Sequence, residues 1–468
     1  MRHTRREMLK RCGCGFGYLA FSSIFAAIAR DALGKSPLAA RDPHFSPRAK
    51  RVIFLFMHGG PSHVDTFDPK PALTRDEGKK LPAGFVKGFL DPSASLLPSP
   101  FQFQKHGESG LEISEIFPEI GKCADDLCLV RSMHTNGQDH TQAVLKLHTG
   151  SENQARPSVG SWILYGLGAE NQNLPGFVTL GPSSITGGAQ NFGSAFLPAV
   201  YQGTAIGRQS NAGLNDAQIR HIKGELPLEL QRQQLDFVQA LNRDHLARAA
   251  VDDQLEGVIE SYELAFRMQT EAPELTDLSK EPAEIRSAYG VDQTPTDTFA
   301  RQCLLARRFV EKGVRFVQVN HAFKWDSHQN IKDEHSRNAR EVDQPIAALL
   351  RDLKSRGLLK DTLVIWGGEF GRTPTGQRVG NGREFGRDHN PHGFTVWMAG
   401  GGVKGGLSYG ETDEYGFQAV KDKVHMHDLH ATVLHLLGLD HEKLTFRHAG
   451  RDFRLTDVHG NVVKAILA

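Results

Sequence analysis

The amino-acid sequence predicts a layered α/β fold built around a mainly parallel sheet. Continuous apolar runs with the length of buried strands occur at residues 51–57, 127–133, 177–180, 314–320, 362–366 and 394–399. Stretches with helical periodicity lie between them, at residues 225–269, 299–312 and 338–356. Strands that alternate with helices favour a parallel sheet with helices on both faces, a three-layer α/β/α arrangement.

Composition and charge narrow the class of protein. The chain has 468 residues, of which 39% are hydrophobic and 23% charged, so it can bury a large core. The formal net charge is +1 and no basic block stands out, so we expect no nucleic-acid partner. Beyond the N-terminal segment, no run approaches the ~18 apolar residues of a membrane span. The sequence does not indicate an oligomeric state.

The N-terminal segment has the features of an export signal. Arg5 and Arg6 are adjacent, Leu9-Lys10 follows them, and residues 12–29 form a weakly apolar run rich in Gly, Ala and Ser. This arrangement resembles a twin-arginine signal, which directs export of folded proteins to the periplasm or the cell exterior. We therefore divide the chain into a signal segment, 1–40, and a single domain, 41–468, with cleavage after Ala29 or at Ala39-Ala40.

Imidazole and carboxylate side chains follow several of the predicted strands. The carboxyl ends of parallel strands share one edge of a sheet, where ligands bind. Neutral imidazole and carboxylate are the ligands of zinc, manganese and related dications. We therefore expect a divalent metal ion, either zinc, calcium or manganese. The candidate ligands are His58, Asp65, Asp326, His328, Glu369, Asp388, His389, His392 and His427.

Two other enzyme classes lack their motifs here. The segment His58-Gly59-Gly60 is typical of an esterase oxyanion loop, but the accompanying Gly-x-Ser-x-Gly pentapeptide does not occur. A phosphate-binding P-loop motif is also missing, which argues against a nucleotide enzyme of that class.

Three segments resemble a known family. They are MHGGPSHVDTFDPKP at 57–71, WGGEFGRTP at 366–374 and GRDHNPHG at 386–393. Together they are similar to the domain-of-unknown-function family 1501 (DUF1501), over nearly the whole mature chain. That family is placed in the alkaline phosphatase and sulfatase superfamily. The resemblance implies an alkaline phosphatase-like three-layer fold with a dication site at the strand ends.

The resemblance also implies roles for particular residues. Counting back from Thr149-Gly150, the superfamily's nucleophile position falls at His140, beside Thr141. Thr141 would then be a metal-activated nucleophile and His140 a ligand or a base. Glu369 takes the place of a metal-binding Asp, and Phe370 replaces a His ligand. Apart from the resemblance, Arg372 and Arg387 flank the His/Asp/Glu clusters and could hold a tetrahedral anion, with a structural ion pair as the alternative for each.

These observations lead to two hypotheses about function. The first is an exported, sulfatase-like metal-dependent hydrolase that acts on phosphate or sulfate esters of a small molecule or polysaccharide. The second is a non-catalytic protein of the same fold that binds glycan or a cell-surface partner, favoured by Phe370 at a ligand position. The first expects bound dications and ester hydrolysis, whereas the second expects little bound metal or no turnover with any ester.

Overall fold

The computed structural model describes residues 36–82, 94–207, 226–248, 253–377 and 385–468. The predicted signal falls mostly on residues 1–35, outside this described part. Residues 36–40 pack against the body of the protein. Leu38 is completely buried, and its carbonyl accepts a 2.9 Å hydrogen bond from the backbone nitrogen of Ala169.

The strands in the described part lie mostly in one large sheet. In chain order they are β1 (Arg51–Met57), β2 (Phe103–His106), β3 (Leu111–Ser114), β4 (Leu127–His134), β5 (Phe177–Leu180), β6 (Thr204–Ile206), β7 (Phe316–His321), β8 (Thr362–Gly367), β9 (Gly371–Gln377), β10 (Gly386–Asn390), β11 (Phe394–Ala399), β12 (Leu407–Tyr409), β13 (Glu411–Thr412), β14 (Ala419–Lys421), β15 (Val424–His425), β16 (Phe446–His448) and β17 (Arg451–Phe453). Within the described residues the large sheet has nine strands, in the order β12-β4-β11-β8-β1-β7-β5-β6, with β15 also paired to β4.

The large sheet is mainly parallel. β1 pairs in parallel with both β7 and β8, and β5 pairs in parallel with β6 and β7. β11 runs antiparallel to both of its neighbours, β4 and β8. In register, Met57 lies opposite His321 and Phe56 lies opposite Gly367, so β1, β7 and β8 end together. Their following loops therefore emerge side by side at one edge of the sheet.

The helices in the described part cover this sheet. They are α1 (Pro71–Arg75), α2 (Pro118–Gly121), α3 (His140–Thr149), α4 (Val159–Leu167), α5 (Leu228–Arg248), α6 (Asp253–Thr276), α7 (Ala283–Tyr289), α8 (Asp297–Glu311), α9 (Ile331–Ser355) and α10 (Met426–Leu436). None of the helices in the described ranges is long and apolar enough to cross a membrane.

Both faces of the sheet are buried under helices. On one face, the rings of Phe54 and Phe56 in β1 contact His148 of α3, with centroids 5.8 and 4.7 Å away. On the other face, His321 of β7 packs on Phe299 of α8 and lies 3.0 Å from Glu341 of α9. Burial on both faces explains why the strands are continuous apolar runs without alternation. The predicted α/β fold with a mainly parallel central sheet is confirmed.

All six predicted strands are present, and the helices differ in extent. The helix predicted at 299–312 is α8, and the helix predicted at 338–356 is α9, which begins seven residues earlier at Ile331. Its first turn carries Asp333 and Glu334, whose negative charges favour a helix N-terminus without adding to the apolar pattern. The periodic stretch 225–269 corresponds to two helices, α5 and α6.

Candidate metal centre

Four side chains from three separate segments converge at the edge where β1, β7 and β8 end. His140 is the first residue of α3, and Asp326 and His328 lie in the loop that follows β7. His389 lies in β10 of the β9–β10 hairpin. One nitrogen or oxygen atom from each of these residues lies within 4.8 Å of all the others. We call these four residues the His₃Asp centre.

The distances within the His₃Asp centre match the spacing of ligands around a single cation. Oδ1 of Asp326 lies 3.1 Å from Nε2 of His140, 2.8 Å from Nε2 of His328 and 3.3 Å from Nε2 of His389. Nε2 of His328 and Nε2 of His389 are 3.0 Å apart. Ligand atoms bound ~2 Å from a tetrahedral zinc ion are separated by roughly 3.3 Å. The donor atoms are therefore grouped as they would be around one ion.

The second ring nitrogen of each histidine faces an oxygen acceptor. Nδ1 of His140 lies 2.7 Å from Oε1 of Glu369, and Nδ1 of His328 lies 2.5 Å from Oε1 of Gln377. Nδ1 of His389 lies 2.9 Å from the carbonyl oxygen of Gln138. An Nδ1–H that donates to such an acceptor leaves the Nε2 lone pair free, which is the usual arrangement of metal-binding histidines.

His140 supplies a direct test of whether a cation fits. Its Nε2 is buried and lies 3.1 Å from Oδ1 of Asp326, but without the geometry of a good hydrogen bond. A buried nitrogen that is poorly paired in this way is costly unless an ion satisfies it. Burial alone would lower the pKa of His140, but the nearby carboxylates of Asp326 and Glu369 outweigh burial and raise that pKa to about 9. The donor set therefore fits a cation, which would compete with a proton for this nitrogen.

Glu369 is held beside the centre by the loop after β1. The backbone nitrogen of Gly59 lies 3.0 and 3.2 Å from the two carboxylate oxygens of Glu369, and this carboxylate is completely buried. Gly59 has a φ of +112°, and a Cβ there would lie 2.5 Å from the backbone nitrogen of Asp326. Glycine is therefore required where the loops after β1 and β7 touch.

Arg372 is bound on all sides by the protein. Its Nε donates to the carbonyl of Gly60 at 3.0 Å, and its Nη1 donates to the carbonyl of Arg387 at 3.2 Å. Its Nη2 donates to the carbonyl of Gly59 and, at 2.7 Å, to Oδ1 of Asp326. The side chain is completely buried. These contacts correspond to the ion-pair alternative considered for Arg372, and its role with an anion stays a prediction.

The other predicted ligands lie outside the His₃Asp centre. Asp65 forms a buried ion pair with Arg387, with Oδ2 2.7 Å from Nε. Asp388 Oδ1 lies 3.9 Å from His328 Nδ1, at the margin of the centre. The ring of His392 packs against Phe417.

Three more predicted site residues have other surroundings. His58 is completely buried, and its Nε2 lies 2.6 Å from Oγ1 of Thr186. His427 lies among other imidazoles, with its ring 5.9 Å from the ring of His430. Thr141 is exposed on the first turn of α3, where its backbone nitrogen donates to the Asp139 side chain. Its nucleophilic role stays a prediction.

Some contacts of the centre carry no recognisable sequence signal. Gln138 contributes a backbone carbonyl, which any residue would supply. Gln377 and Phe323 are isolated residues of common types, and Thr186 lies in a Gly/Ser-rich loop without a known motif. Only the His-Asp-rich segments around the ligands were detectable from sequence.

The fold and the His₃Asp centre together define an α/β protein with a candidate metal site at the carboxyl edge of its sheet. The chain belongs to the family described as "Protein of unknown function (DUF1501)", which matches residues 49–467. No curated protein matches the chain.

Several solved structures show distant similarity. An alkaline phosphatase from the Antarctic bacterium TAB5 is 11% identical, with 84% of this chain and 99% of that chain covered and a TM-score of 0.33. The PsFucS1 sulfatase from Pseudoalteromonas sp. is 13% identical, with 84% and 69% covered and a TM-score of 0.36. The lipoteichoic acid synthase LtaP from Listeria monocytogenes is 8% identical, with 89% and 78% covered and a TM-score of 0.35. Likeness at these scores carries no conclusion about the chemistry of this chain.

Proposed function

We propose that this protein is a metal-dependent hydrolase of phosphate or sulfate esters. The observation that supports this most directly is the convergence of three imidazole Nε2 atoms on one carboxylate oxygen of Asp326. Each of these imidazoles also has its Nδ1 beside an oxygen acceptor. Nitrogen-rich sets favour zinc or a related transition metal over calcium, which prefers oxygen ligands.

A dication in this position would supply Lewis acidity toward a phosphoryl or sulfuryl oxygen. The protein's own residues orient the ligands for it. Glu369 fixes the ring of His140, and Arg372 fixes the carboxylate of Asp326. The side-chain amide of Gln377 fixes the ring of His328, and the backbone carbonyl of Gln138 fixes the ring of His389. Such outer contacts determine ligand orientation and therefore the strength of metal binding.

The centre is open on one side and apolar on another. The side chains of Asp326, His328 and His389 are 23%, 28% and 21% exposed, which leaves a path for a substrate. On the inner side, the buried ring of Phe370 lies 4.9 Å from the ring of His140 and 4.7 Å from that of His389. This apolar wall keeps water away and strengthens electrostatic interactions at the centre.

Phe370 also supports the second hypothesis, a non-catalytic protein that binds glycan or a cell-surface partner. Its ring packs directly on two of the ligands but offers no donor atom to a second ion. A centre with a single cation and no turnover on any ester would favour this alternative.

Metal analysis combined with an ester screen tests the proposal. Purified protein should bind about one dication per chain, and the loaded protein should hydrolyse aryl phosphates, phosphodiesters or aryl sulfates until a chelator is added. Asp326→Asn should lose both properties. The matched control is His448→Gln, which alters an exposed histidine on β16. Bound metal without turnover on any ester would contradict the hydrolase proposal and favour the binding alternative.

We also propose that the protein is exported by the twin-arginine route to the periplasm or the cell exterior. The support is the Arg5-Arg6 pair and the weakly apolar run that follows it. Replacement of both arginines by lysine should retain the protein in the cytoplasm, and unchanged export of that variant would contradict the proposal.

A further inference from the structure

A threonine hydroxyl and a buried imidazole form a close pair near the His₃Asp centre. Oγ1 of Thr186 lies 2.6 Å from Nε2 of His58. His58 follows β1 directly, and its ring is completely buried. Its other nitrogen, Nδ1, is buried without a hydrogen-bond partner in the described structure. The short contact is the nucleophile-to-base distance expected when an imidazole activates a hydroxyl.

The backbone holds Thr186 in a conformation that its side chain disfavours. Its φ is +45°, which is rare for a β-branched residue. The side-chain nitrogen of Asn191 donates to the Thr186 carbonyl at 3.0 Å and anchors the loop. Strained residues that are held in this way occur preferentially at functional sites. The conformation keeps the hydroxyl directed at His58.

The pair lies at the same edge of the sheet as the His₃Asp centre. Thr186 is in the loop after β5, whose strand is parallel to β7 and β1. The ring of His58 lies 4.6 Å from the ring of Phe323, and Phe323 lies 4.9 Å from the ring of His140. A single aromatic ring thus separates the hydroxyl–imidazole pair from a ligand of the centre. Thr186 itself is half-buried, next to exposed Ser184 and Ile185.

We propose that Thr186 is the nucleophile of this enzyme and that His58 is its general base. The inference rests on the proposed ester hydrolysis and specifies the group that attacks the ester. It differs from the prediction that Thr141 attacks, because the described contacts of Thr141 include no imidazole or carboxylate base beyond the Asp139 cap at its backbone nitrogen.

The chemical step balances with water as the only co-reactant. The Oγ1 proton of Thr186 passes to His58 Nε2 while Oγ1 forms a bond to phosphorus and the bond from phosphorus to the ester oxygen breaks. His58 returns that proton to the departing oxygen, which leaves as an alcohol or phenol. Water then attacks the phosphothreonine, His58 takes a water proton, and the Oγ1–phosphorus bond breaks. His58 finally gives that proton to Thr186 Oγ1, and inorganic phosphate leaves.

A covalent probe tests this pair independently of turnover. We would treat the purified protein with a fluorophosphonate, which phosphonylates an activated hydroxyl with loss of fluoride, and locate the label by peptide mass spectrometry. The variants are Thr186→Val, which removes the hydroxyl, Thr186→Ser, which retains it, and His58→Gln, which removes the base. Ser184→Ala is the matched control in the same loop, and metal content and thermal unfolding show that each variant is folded.

The proposal expects the label on Thr186 in the unaltered protein and in Ser184→Ala, and on the new hydroxyl of Thr186→Ser. Labelling should be lost in Thr186→Val and should fall about a hundredfold or more in His58→Gln. A label on Thr141, or no label in a protein that hydrolyses aryl phosphates, would overturn the inference while leaving the proposed function intact. A label on Thr186 in a protein that hydrolyses no ester would show that His58 activates the hydroxyl, but it would reject the proposed function and with it the role of Thr186 in ester hydrolysis. Absence of both labelling and hydrolysis would reject both.

Discussion

Arg372 donates a 2.7 Å hydrogen bond to Oδ1 of Asp326, the same oxygen atom that faces the three imidazole nitrogens. The remaining guanidinium nitrogens bind backbone carbonyls of the loop after β1 and of β10. One buried cation therefore connects the loops after β1 and β7 with the β9–β10 hairpin. This arrangement indicates that Arg372 orients a ligand of the His₃Asp centre.

We expect Arg372→Lys to weaken both metal binding and folding. A lysine ammonium cannot reproduce the planar set of donors that serves three carbonyls and a carboxylate, so buried acceptors would lose partners. The free energy of unfolding should fall by about 2–4 kcal/mol, measured with denaturant, and metal affinity should fall in a titration. If Arg372 instead binds the substrate anion, Arg372→Lys would raise KM with unchanged metal affinity and stability.

Glu369→Gln is expected to lower metal affinity by about 10- to 100-fold, with the fold retained. The amide of glutamine would direct a donor at the backbone nitrogen of Gly59, which donates to both carboxylate oxygens. His140 would also lose the negative charge beside its Nδ1. Competition with a chromogenic chelator measures the change, and His448→Gln is the control. An unaltered affinity would show that Glu369 does not orient His140.

Gly59→Ala should destabilise the protein by more than about 3 kcal/mol and abolish cation binding, because the added Cβ meets the backbone beside Asp326 at 2.5 Å. Gly78→Ala is a matched control for conformation. Gly78 has a φ of +76° with nothing near its Cβ, so that variant should lose only about 1 kcal/mol. If denaturant unfolding showed that Gly59→Ala and Gly78→Ala lower the free energy of unfolding equally, the contact of Gly59 with Asp326 would not be important for stability.

Acid should destabilise the protein through His148. Complete burial lowers the pKa of His148 from 6.5 to about 4 and outweighs the hydrogen bond with the Val144 carbonyl, which raises that pKa. The unfolded chain therefore takes up a proton as pH falls below 6.5, while the folded chain does not until pH is near 4. Stability is full above 6.5 and decreases over this window, by roughly 2 kcal/mol at pH 5 from this residue.

Denaturant unfolding of His148→Gln measures that contribution. The stability difference between the unaltered protein and this variant should shrink as pH falls from 7 to 5. A difference that stays constant over this range would show that the His148 imidazole does not govern the acid sensitivity.

Export should leave residues 36–40 attached to the mature protein. Leu38 is completely buried, and Arg41 donates a backbone hydrogen bond to the carbonyl of Leu167. Cleavage after Ala29 keeps these contacts, whereas cleavage at Ala39-Ala40 would remove Leu38 from the core and cost about 2–3 kcal/mol. N-terminal sequencing of the exported protein identifies the site, and a mature terminus beyond residue 38 would contradict this prediction.

The sequence predicted the sheet well because the strands are buried on both faces. Continuous apolar runs such as residues 51–57 are distinct from surface segments. Because these strands alternate with helices along the chain, only a few sheet topologies can connect them. The sequence could not show which polar side chains meet. Asp65 and Asp326 both follow strands, yet one pairs with Arg387 and the other enters the His₃Asp centre. That difference depends on loop paths, which are determined by close contacts such as Gly59 against Asp326 rather than by any local pattern.

His140 is a second residue whose contacts could not be predicted from the sequence. Sequence comparison placed it at a nucleophile position and left ligand or base as its role, and its Nε2 lies among the donors of the centre. The partner that orients it, Glu369, is more than two hundred residues away in the chain. Thr186 had no detectable motif, since its significance comes from a 2.6 Å contact with a residue of a different loop.

The wide separation of the ligands along the chain has a consequence for biogenesis. A chain must be synthesised at least through β10 before His140 and His389 can meet, so a shorter nascent chain lacks part of the His₃Asp centre. If the centre binds a cation, that cation would come from the compartment in which this edge of the sheet is completed.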